Sequence, residues 1–205
     1  MAPSDPKDLN DLKSPMVLAD PIPHYRARGK KPVTLAVIHS MAERITHEEE
    51  KNIYEAPAWL RKLGLSVHAM IRPDGTVIEC VSLDKIAWHA KGFNTISLGC
   101  EILIAAPERQ GHTYESFLQA IGINPITKKP LDPLPESPYS EEQYKSAGWW
   151  FASALIRQGG TDQNPTEFKG HEELSPERKF DPGPLWDWEK FHYWLNRNLK
   201  AGTSS

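Results

Sequence analysis

The chain has 205 residues and carries a net charge of -3 at neutral pH. A length of this order predicts one domain with a sizeable hydrophobic core. The slightly acidic balance gives no electrostatic reason to expect nucleic acid or an anionic membrane as a partner. The two cysteines, Cys80 and Cys100, lie in separate predicted strands, which indicates two buried small hydrophobic residues. A bridge between neighbouring strands is the less favoured alternative.

The first segment, residues 1–32, is rich in proline and charge and contains no apolar stretch of signal-peptide type. It predicts an extended or partly mobile arm, which Val17, Leu18 and Ile22 could pack against the body. It also predicts that there is no secretory signal and no membrane span. Together with the cysteine usage, this favours a cytoplasmic location.

The remaining pattern alternates between strands and helices. Buried strands are predicted near residues 34, 67, 78 and 100, with a further one near 167, and Pro73-Asp74-Gly75 predicts a hairpin turn. Helices are predicted from residue 46 or 47 to Gly64, split or kinked at Pro57, from a capping box at Ser140 to Gly159-Gly160, and from an N-cap at Asp187. Lys85 to Asn94 has weak periodicity and predicts a loop.

These elements predict a single-domain α/β fold over residues 33–200, with a central mixed β-sheet flanked by helices and a tail at 201–205. Residues 107–138 form a long insertion rich in Pro, Lys and polar residues. Long segments of this kind are either binding lids or mobile loops, and the sequence leaves both open.

The stretch from Gly170 to Pro184 predicts half of a metal site. His171 offers an imidazole and Asp181 a carboxylate, while Lys179 adds an ammonium two residues earlier. Interruption by prolines indicates a rigid loop rather than a helix. The best third ligand is His39, expected at the carboxyl end of the apolar run 33–40, because ligand sites in open α/β sheets lie at that end of the strands. Three protein ligands and one open position are what a catalytic zinc requires.

Glu101 is the one acid in the apolar strand predicted from Leu98 to Ala105. A glutamate on such a strand is costly to bury unless it is paired or functional. It is therefore the best candidate for a general base. An edge-strand glutamate facing water is the alternative.

Five pieces of the chain occur in the order of a known family. They are Val37-Ile38-His39, the run 67–75, Ala87-Trp88-His89-Ala90, Leu98-Gly99-Cys100-Glu101-Ile102, and the run 170–184. They resemble the zinc-dependent N-acetylmuramoyl-L-alanine amidases that share their fold with peptidoglycan-recognition proteins, and especially the small cytoplasmic 1,6-anhydro-muropeptide amidases.

The resemblance implies the same fold, one Zn²⁺ per chain held by His39, His171 and Asp181, and peptidoglycan fragments or muropeptides as substrates. It implies cleavage of the amide between N-acetylmuramic acid, or its 1,6-anhydro form, and L-alanine. Glu101 would act as base and Lys179 would stabilise the oxyanion. Some relatives carry a catalytic tyrosine where this chain has Val67, which adds weight to Glu101.

Other residues of these pieces have less specific predicted roles. His68 matches a histidine that is mostly structural in relatives, so a core or supporting role is favoured over a ligand. Trp88, His89 and Asn94 are candidates for binding substrate, although a tryptophan beside a histidine can equally be a hydrophobic plug. Lys91-Gly92 departs from the glycine that relatives more often have directly after the alanine, so the loop tip could differ in shape.

There are three alternatives to an amidase that acts on muropeptides. An endolysin-type or secreted lytic amidase would act on intact cell wall, and could be exported without a recognisable signal. A non-catalytic peptidoglycan-binding module would be expected to lose a ligand, whereas all three positions are occupied. An unrelated metalloprotease is disfavoured because His171-Glu172 is not followed by the histidine of a His-Glu-x-x-His motif.

Overall fold

The structure is a computed structural model that describes residues 14–107, 110–158 and 166–202. Its strands are β1 (Val17–Ala19), β2 (Tyr25–Ala27), β3 (Leu35–Ala42), β4 (Arg44–His47), β5 (Asn52–Glu55), β6 (Ala69–Ile71), β7 (Val77–Glu79), β8 (Lys85–Ala87), β9 (Ser97–Ile104) and β10 (Glu167–Gly170). Its helices are α1 (Ala56–Leu63), α2 (Tyr114–Ala120), α3 (Glu141–Arg157), α4 (His171–Leu174) and α5 (Trp188–Gly202).

Six of the strands form one mixed sheet in the order β1-β7-β6-β9-β3-β10. β3 lies between β9 and β10 and is parallel to both, and β6 is parallel to β9 but antiparallel to β7. Helices pack on the sheet, so the predicted single-domain α/β fold with a central mixed sheet is confirmed. The predicted hairpin is also present, although its strands β6 and β7 are shorter than the sequence indicated.

The two faces of β3 and β9 have different environments because side chains alternate across a strand. Ile38 and Ile102 belong to the main core, which also contains Trp150, Phe151 and Phe191 from α3 and α5. His39 and Glu101 are register partners on the two parallel strands and therefore share the opposite face. The alternation thus buries one face under helices and leaves the other available for a site.

The two long helices agree with their predicted start signals. Ser140 and Gln143 form the capping box of α3, with the side chain of each accepting a hydrogen bond from the other's backbone N–H. Asp187 Oδ1 accepts from the backbone N of Lys190 at 3.0 Å in the first turn of α5. The predicted glycine stop at residues 159–160 lies outside the described residues.

The helix predicted from residue 46 or 47 to Gly64 is wrong in its first half. That half is an antiparallel hairpin of β4 and β5, with the acidic residues 48–50 in the turn. Pro57 does not kink a helix; it lies in the first turn of α1, where a missing N–H costs nothing. The charge order of the segment was correct only at the end, where Arg61 and Lys62 occupy the last turn.

The described part of the N-terminal arm is packed on the sheet. β1 extends the sheet beside β7, and β2 pairs with β8, so the segment predicted as a loop from Lys85 begins with a strand. Ile22 is fully buried, whereas Val17 and Leu18 are exposed. The predicted mobility of the arm falls largely on residues 1–13, which lie outside the described residues.

Two further expectations can be compared with the structure. Cys80 and Cys100 are both buried and free, which confirms their interpretation as small hydrophobic residues. Within the described ranges, no helix is long and apolar enough to cross a membrane.

Candidate active site

A cleft of about 550 Å³ opens on the face of the sheet that carries His39 and Glu101. The β4–β5 hairpin and α1 supply one wall, which includes Thr46, His47 and Trp59. The insertion supplies another through His112 to Leu118, and the loop after β10 supplies Arg178 to Asp181. The cleft therefore brings together segments from four distant parts of the chain.

His39, His171 and Asp181 converge at the floor of this cleft. The two Nδ1 atoms lie 2.9 Å apart, and Asp181 Oδ2 lies 3.1 Å from His171 Nδ1 and 3.4 Å from His39 Nδ1. All three residues are buried, and in the described part of the chain they are the one group whose ligand atoms could hold a metal ion. They are the same three residues that the sequence predicts as ligands.

The spacing of these atoms fits a small tetrahedral cation. Ligand atoms at about 2.0–2.1 Å from a tetrahedral metal stand roughly 3.3 Å from one another, and the three separations lie close to that value. Two imidazoles and a carboxylate are also a donor set that zinc accepts. Hence the residues present fit the predicted metal, and an open side towards the cleft remains for substrate.

The electrostatics of the triad favour unprotonated ligands. Burial lowers the pKa of His39 to about 4, which leaves a neutral ring. Burial alone would raise the pKa of Asp181, but its close contacts with the rings of His171 and His39 outweigh burial and hold the pKa well below its usual range. Neutral imidazoles and an ionised carboxylate are the forms that coordinate metals.

The two halves of the triad reach the cleft in different ways. His39 lies within β3, which continues to Ala42, so His39 is not at the end of its strand as the sequence suggested. His171 opens the short helix α4 directly after β10. Asp181 is tied back to this helix because its carbonyl accepts from the backbone N of Glu172 at 3.0 Å.

Glu101 lies beside His39 in the sheet register and lines the cleft. Its Oε2 is buried without a hydrogen-bond partner in the described structure. Burial, reinforced by the negative charge of Asp181, raises the pKa of Glu101 to about 8, while Lys179 opposes this rise. A carboxyl group with these properties can both hold and release a proton near neutral pH. The alternative of an edge-strand glutamate facing water is not what the structure shows.

Lys179 and Trp88 also line the cleft, and Trp88 remains 41% exposed there. Asn94 does not line it; its Oδ1 accepts from the backbone N of His89 and Ala90 at 3.0 and 2.7 Å and so holds the loop in shape. His89 is half-buried and also lines the cleft, with both ring nitrogens engaged in hydrogen bonds inside the protein. The structure thus places Trp88 and one side of His89 at the cleft, and gives Asn94 contacts inside the protein.

His68 is buried and lies outside the metal-capable group. Its Nδ1 accepts from the backbone N of Gly99 at 3.1 Å, and its Nε2 lies 3.2 Å from the carbonyl of Lys85. These contacts join β9 to β8 and favour the supporting role that the sequence indicated.

Sequence reasoning missed Tyr139. Its hydroxyl donates to the carbonyl of Pro182 at 2.6 Å and lies 3.0 Å from Ser40 Oγ. It therefore joins the strand that carries His39 to the loop that carries Asp181. A lone tyrosine after a proline in the insertion gives no sequence signal for such a contact.

The chain was compared with known proteins. The sequence profile described as N-acetylmuramoyl-L-alanine amidase matches residues 29–184. The chain belongs to this family. The match covers five of the six strands of the sheet, the cleft and all three members of the triad. The chain is therefore an N-acetylmuramoyl-L-alanine amidase, a hydrolase of the amide that attaches peptide to the glycan of peptidoglycan.

Individual relatives agree with this assignment. The 1,6-anhydro-N-acetylmuramyl-L-alanine amidase AmpD of Enterobacter cloacae is 29% identical over 189 residues, covering 85% of this chain and 88% of the relative. A crystal structure of an AmpD selenomethionine derivative superposes with a TM-score of 0.57 at 21% identity, covering 92% of this chain and 99% of that chain. The Staphylococcus aureus hydrolase AmiA gives the same TM-score at 18% identity, covering 95% and 88%. At these identities the two structures support the fold.

Proposed function

We propose that this amidase acts on soluble 1,6-anhydro-muropeptides, cleaving the amide between the anhydro-muramyl lactyl group and L-alanine, with one Zn²⁺ per chain. The observation that carries the proposal is the convergence of the ligand atoms of His39, His171 and Asp181 in a cleft that also holds the unpartnered carboxyl of Glu101. The anhydro substrate is supported by the activity named for the Enterobacter cloacae relative, which the alignment covers almost end to end.

His39 and His171 through Nδ1, and Asp181 through Oδ2, would hold the metal. A zinc ion bound there supplies Lewis acidity, which polarises the scissile carbonyl and lowers the pKa of water at the site. The chain's own contribution is to present three ligand atoms on one side and to leave the cleft side open for the substrate amide.

Glu101 is proposed as the proton carrier. Its carboxylate takes a proton from the attacking water and delivers it to the nitrogen of L-alanine as the amide breaks, so the group returns to its starting form. The raised pKa of Glu101, about 8, suits this exchange because the protonated and ionised forms lie close in free energy at neutral pH.

Lys179 is proposed to stabilise the oxyanion that develops on the scissile carbonyl. It lines the cleft, and its positive charge acts on both Glu101 and His39. Trp88 is proposed to contact the sugar or peptide, because a large exposed ring in a cleft offers a flat apolar surface with a polar edge. His89 and Asn94 are proposed to support this wall rather than to contact substrate.

An amidase that lyses intact cell wall, as an endolysin does, is the second candidate, because the cleft is open along one side of the sheet. The proposed cytoplasmic location accords with two buried free cysteines, a usage typical of reducing compartments.

The test compares release of peptide from soluble 1,6-anhydro-muropeptides with release from insoluble sacculi by the same enzyme preparation. We expect higher kcat/KM on the soluble substrate, one zinc per chain by elemental analysis, and loss of activity in a strong chelator that added Zn²⁺ reverses. Equal or faster release from sacculi would overturn the recycling role. Full activity in chelator with no zinc in the protein would overturn the metal assignment.

A further inference from the structure

A line of hydrogen-bonded groups runs behind His39, on the side away from the triad. His39 Nε2 lies 2.9 Å from His89 Nδ1, and His89 Nε2 lies 3.1 Å from Ser97 Oγ. Ser97 Oγ in turn lies 2.9 Å from the carbonyl oxygen of Phe93. His39 and Ser97, the two ends of the side-chain line, are almost fully buried, and His89 between them is half-buried at the cleft wall.

The carbonyl oxygen of Phe93, at the end of the line, determines which group donates and which accepts in every hydrogen bond of the line. A carbonyl oxygen accepts and cannot donate, so the hydroxyl of Ser97 gives its one hydrogen to Phe93. Ser97 Oγ must then accept from His89, which places the His89 proton on Nε2. His89 Nδ1 is left as an acceptor, and it takes the proton on His39 Nε2. His39 Nδ1, which faces the triad, is consequently left with a free lone pair.

We propose that His89 and Ser97 are positioning residues that hold His39 in the tautomer needed to bind a cation. The inference deepens the proposed function and rests on it, because the cation is the zinc proposed above. A histidine that ligates a metal commonly donates its other N–H to a carboxylate, carbonyl or water, which fixes the tautomer and the ring orientation. In this chain a second histidine and a serine relay that bond to a backbone carbonyl.

The surrounding fold keeps the His89 ring in place. The ring lies against Gly99 of β9, where a Cβ would overlap it. Asn94 fixes the backbone on both sides of the His89 side chain through its hydrogen bonds to residues 89 and 90. The ring stands edge-on to His39, with an interplanar angle of 86°. A glycine, an asparagine and a serine thus all contribute to one orientation of His89.

The first test removes and then restores the acceptor that faces His39. We expect His89→Leu to weaken Zn²⁺ binding by about 10- to 100-fold, the range found for lost partners of ligating histidines. His89→Asn should recover most of the affinity, because its Oδ1 lies close to the position of Nδ1. Exposed His192 on α5 gives a matched control, and His192→Asn should bind zinc like the unmodified protein. Affinity is measured by competition with a chromophoric chelator on the full chain.

The second test observes the tautomer itself and needs no activity. In protein freed of metal by a chelator, ¹⁵N chemical shifts of the imidazole nitrogens should show the His39 proton on Nε2. Ser97→Ala should leave the His39 ring with a mixture of tautomers and weaken Zn²⁺ binding in the same direction as His89→Leu. A role confined to stability would change the unfolding midpoint without altering the tautomer.

Each outcome decides the matter. A His39 proton on Nδ1 in the metal-free protein, or zinc affinity unchanged in both His89→Leu and Ser97→Ala, overturns the inference. Should His89→Leu fail to fold, Ser97→Ala and the spectra of the unmodified protein still decide it. If the unmodified protein binds no zinc, the proposed function fails, while the spectra continue to test the relay on its own.

Discussion

The two halves of the active site are built in contrasting ways. The strand half consists of His39 and Glu101, which lie side by side on the parallel strands β3 and β9. The loop half consists of His171, Lys179 and Asp181, which lie in the short helix α4 and the loop that follows it, directly after β10. Both halves end at the same cleft floor, with ligand atoms about one hydrogen-bond length apart.

The strand half is fixed by the backbone ladder of the sheet and by the relay behind His39. The loop half depends on a few specific contacts, among them the hydroxyl of Tyr139 on the carbonyl of Pro182. His171 Nε2 is buried with no hydrogen-bond partner among the described residues, so no contact on that side selects its tautomer. The fold therefore pre-organises the strand half, whereas the loop half takes its final arrangement from the ligand that the triad binds.

The largest effect should come from removing the loop-half carboxylate. We expect Asp181→Ala to lower Zn²⁺ affinity by more than about 100-fold, beyond the effect of losing a supporting partner, and to abolish activity, while the protein stays folded because the sheet carries the core. Asp187→Ala is the matched control: it removes an N-cap, costs about 1 kcal/mol of stability, and leaves zinc bound. Zinc analysis and urea unfolding distinguish the two. Retention of zinc by Asp181→Ala would show that the ligand set is wrong.

The next prediction compares one catalytic group from each half. Glu101→Gln and Lys179→Ala should both fold and bind zinc, and each should lower kcat by about 10²-fold or more. KM should change much less, because both interactions strengthen in the transition state. Steady-state kinetics on a muramoyl peptide, with zinc content measured on the same samples, provides the test. A near-normal kcat in Glu101→Gln would require a different base.

The same contrast explains how much of the fold could be predicted from the sequence. Parallel core strands such as β3 and β9 are continuous apolar runs, and such runs predict buried strands. The hairpin of β4 and β5 was mistaken for helix because Glu48, Glu49 and Glu50, followed later by Arg61 and Lys62, imitate the charge order of one long helix. Tertiary pairing decided the outcome there, and it is not encoded in charge order.

For the site, residue chemistry predicted the members but not their supports. His39, His171 and Asp181 could be proposed from donor type and from the prolines that stiffen the loop. The hydroxyl of Tyr139 donates to a backbone carbonyl that is distant in sequence, and the hydroxyl of Ser97 donates to a backbone carbonyl within a turn. Contacts of this kind produce no pattern of residue types. The contacts of Asn94 are equally invisible in the sequence, since its partners are backbone N–H groups.

The pH dependence of stability sharpens the account of the strand half. In metal-free protein, burial raises the pKa of Glu101 from 4.5 to about 8, so the folded state keeps a proton that the unfolded state releases. The contribution of Glu101 to stability therefore falls as pH rises from about 4.5 to about 8. Glu101→Gln should remove this fall and be more stable than the unmodified protein at pH 8.5, by on the order of 5 kcal/mol. Urea unfolding in chelator at pH 5 and 8.5 measures it, and a difference independent of pH would contradict it.

The smallest effect is expected at the outer edge of the loop half, where the insertion meets it. Tyr114 is 54% exposed in the cleft wall, and Lys128 Nζ lies 5.0 Å from its ring and 5.9 Å from the ring of Phe180. This contact connects the insertion to the loop that carries Asp181. A cation–π contact at an exposed site is worth about 0.5–1 kcal/mol, so Tyr114→Ala should raise KM by roughly 2- to 5-fold with little change in kcat.

A matched control for this change is a tyrosine outside the cleft lining. Tyr25 is 46% exposed on β2 and does not line the cleft, and Tyr25→Ala should leave KM unchanged. The measurement is KM for a soluble muropeptide together with the rate on sacculi, because a side wall should affect the two substrates unequally. An equal change in the kinetics on both substrates, or no change on either, would mean that the insertion near Tyr114 is only a surface loop. The loop half of the site would then end at Lys179 and Phe180.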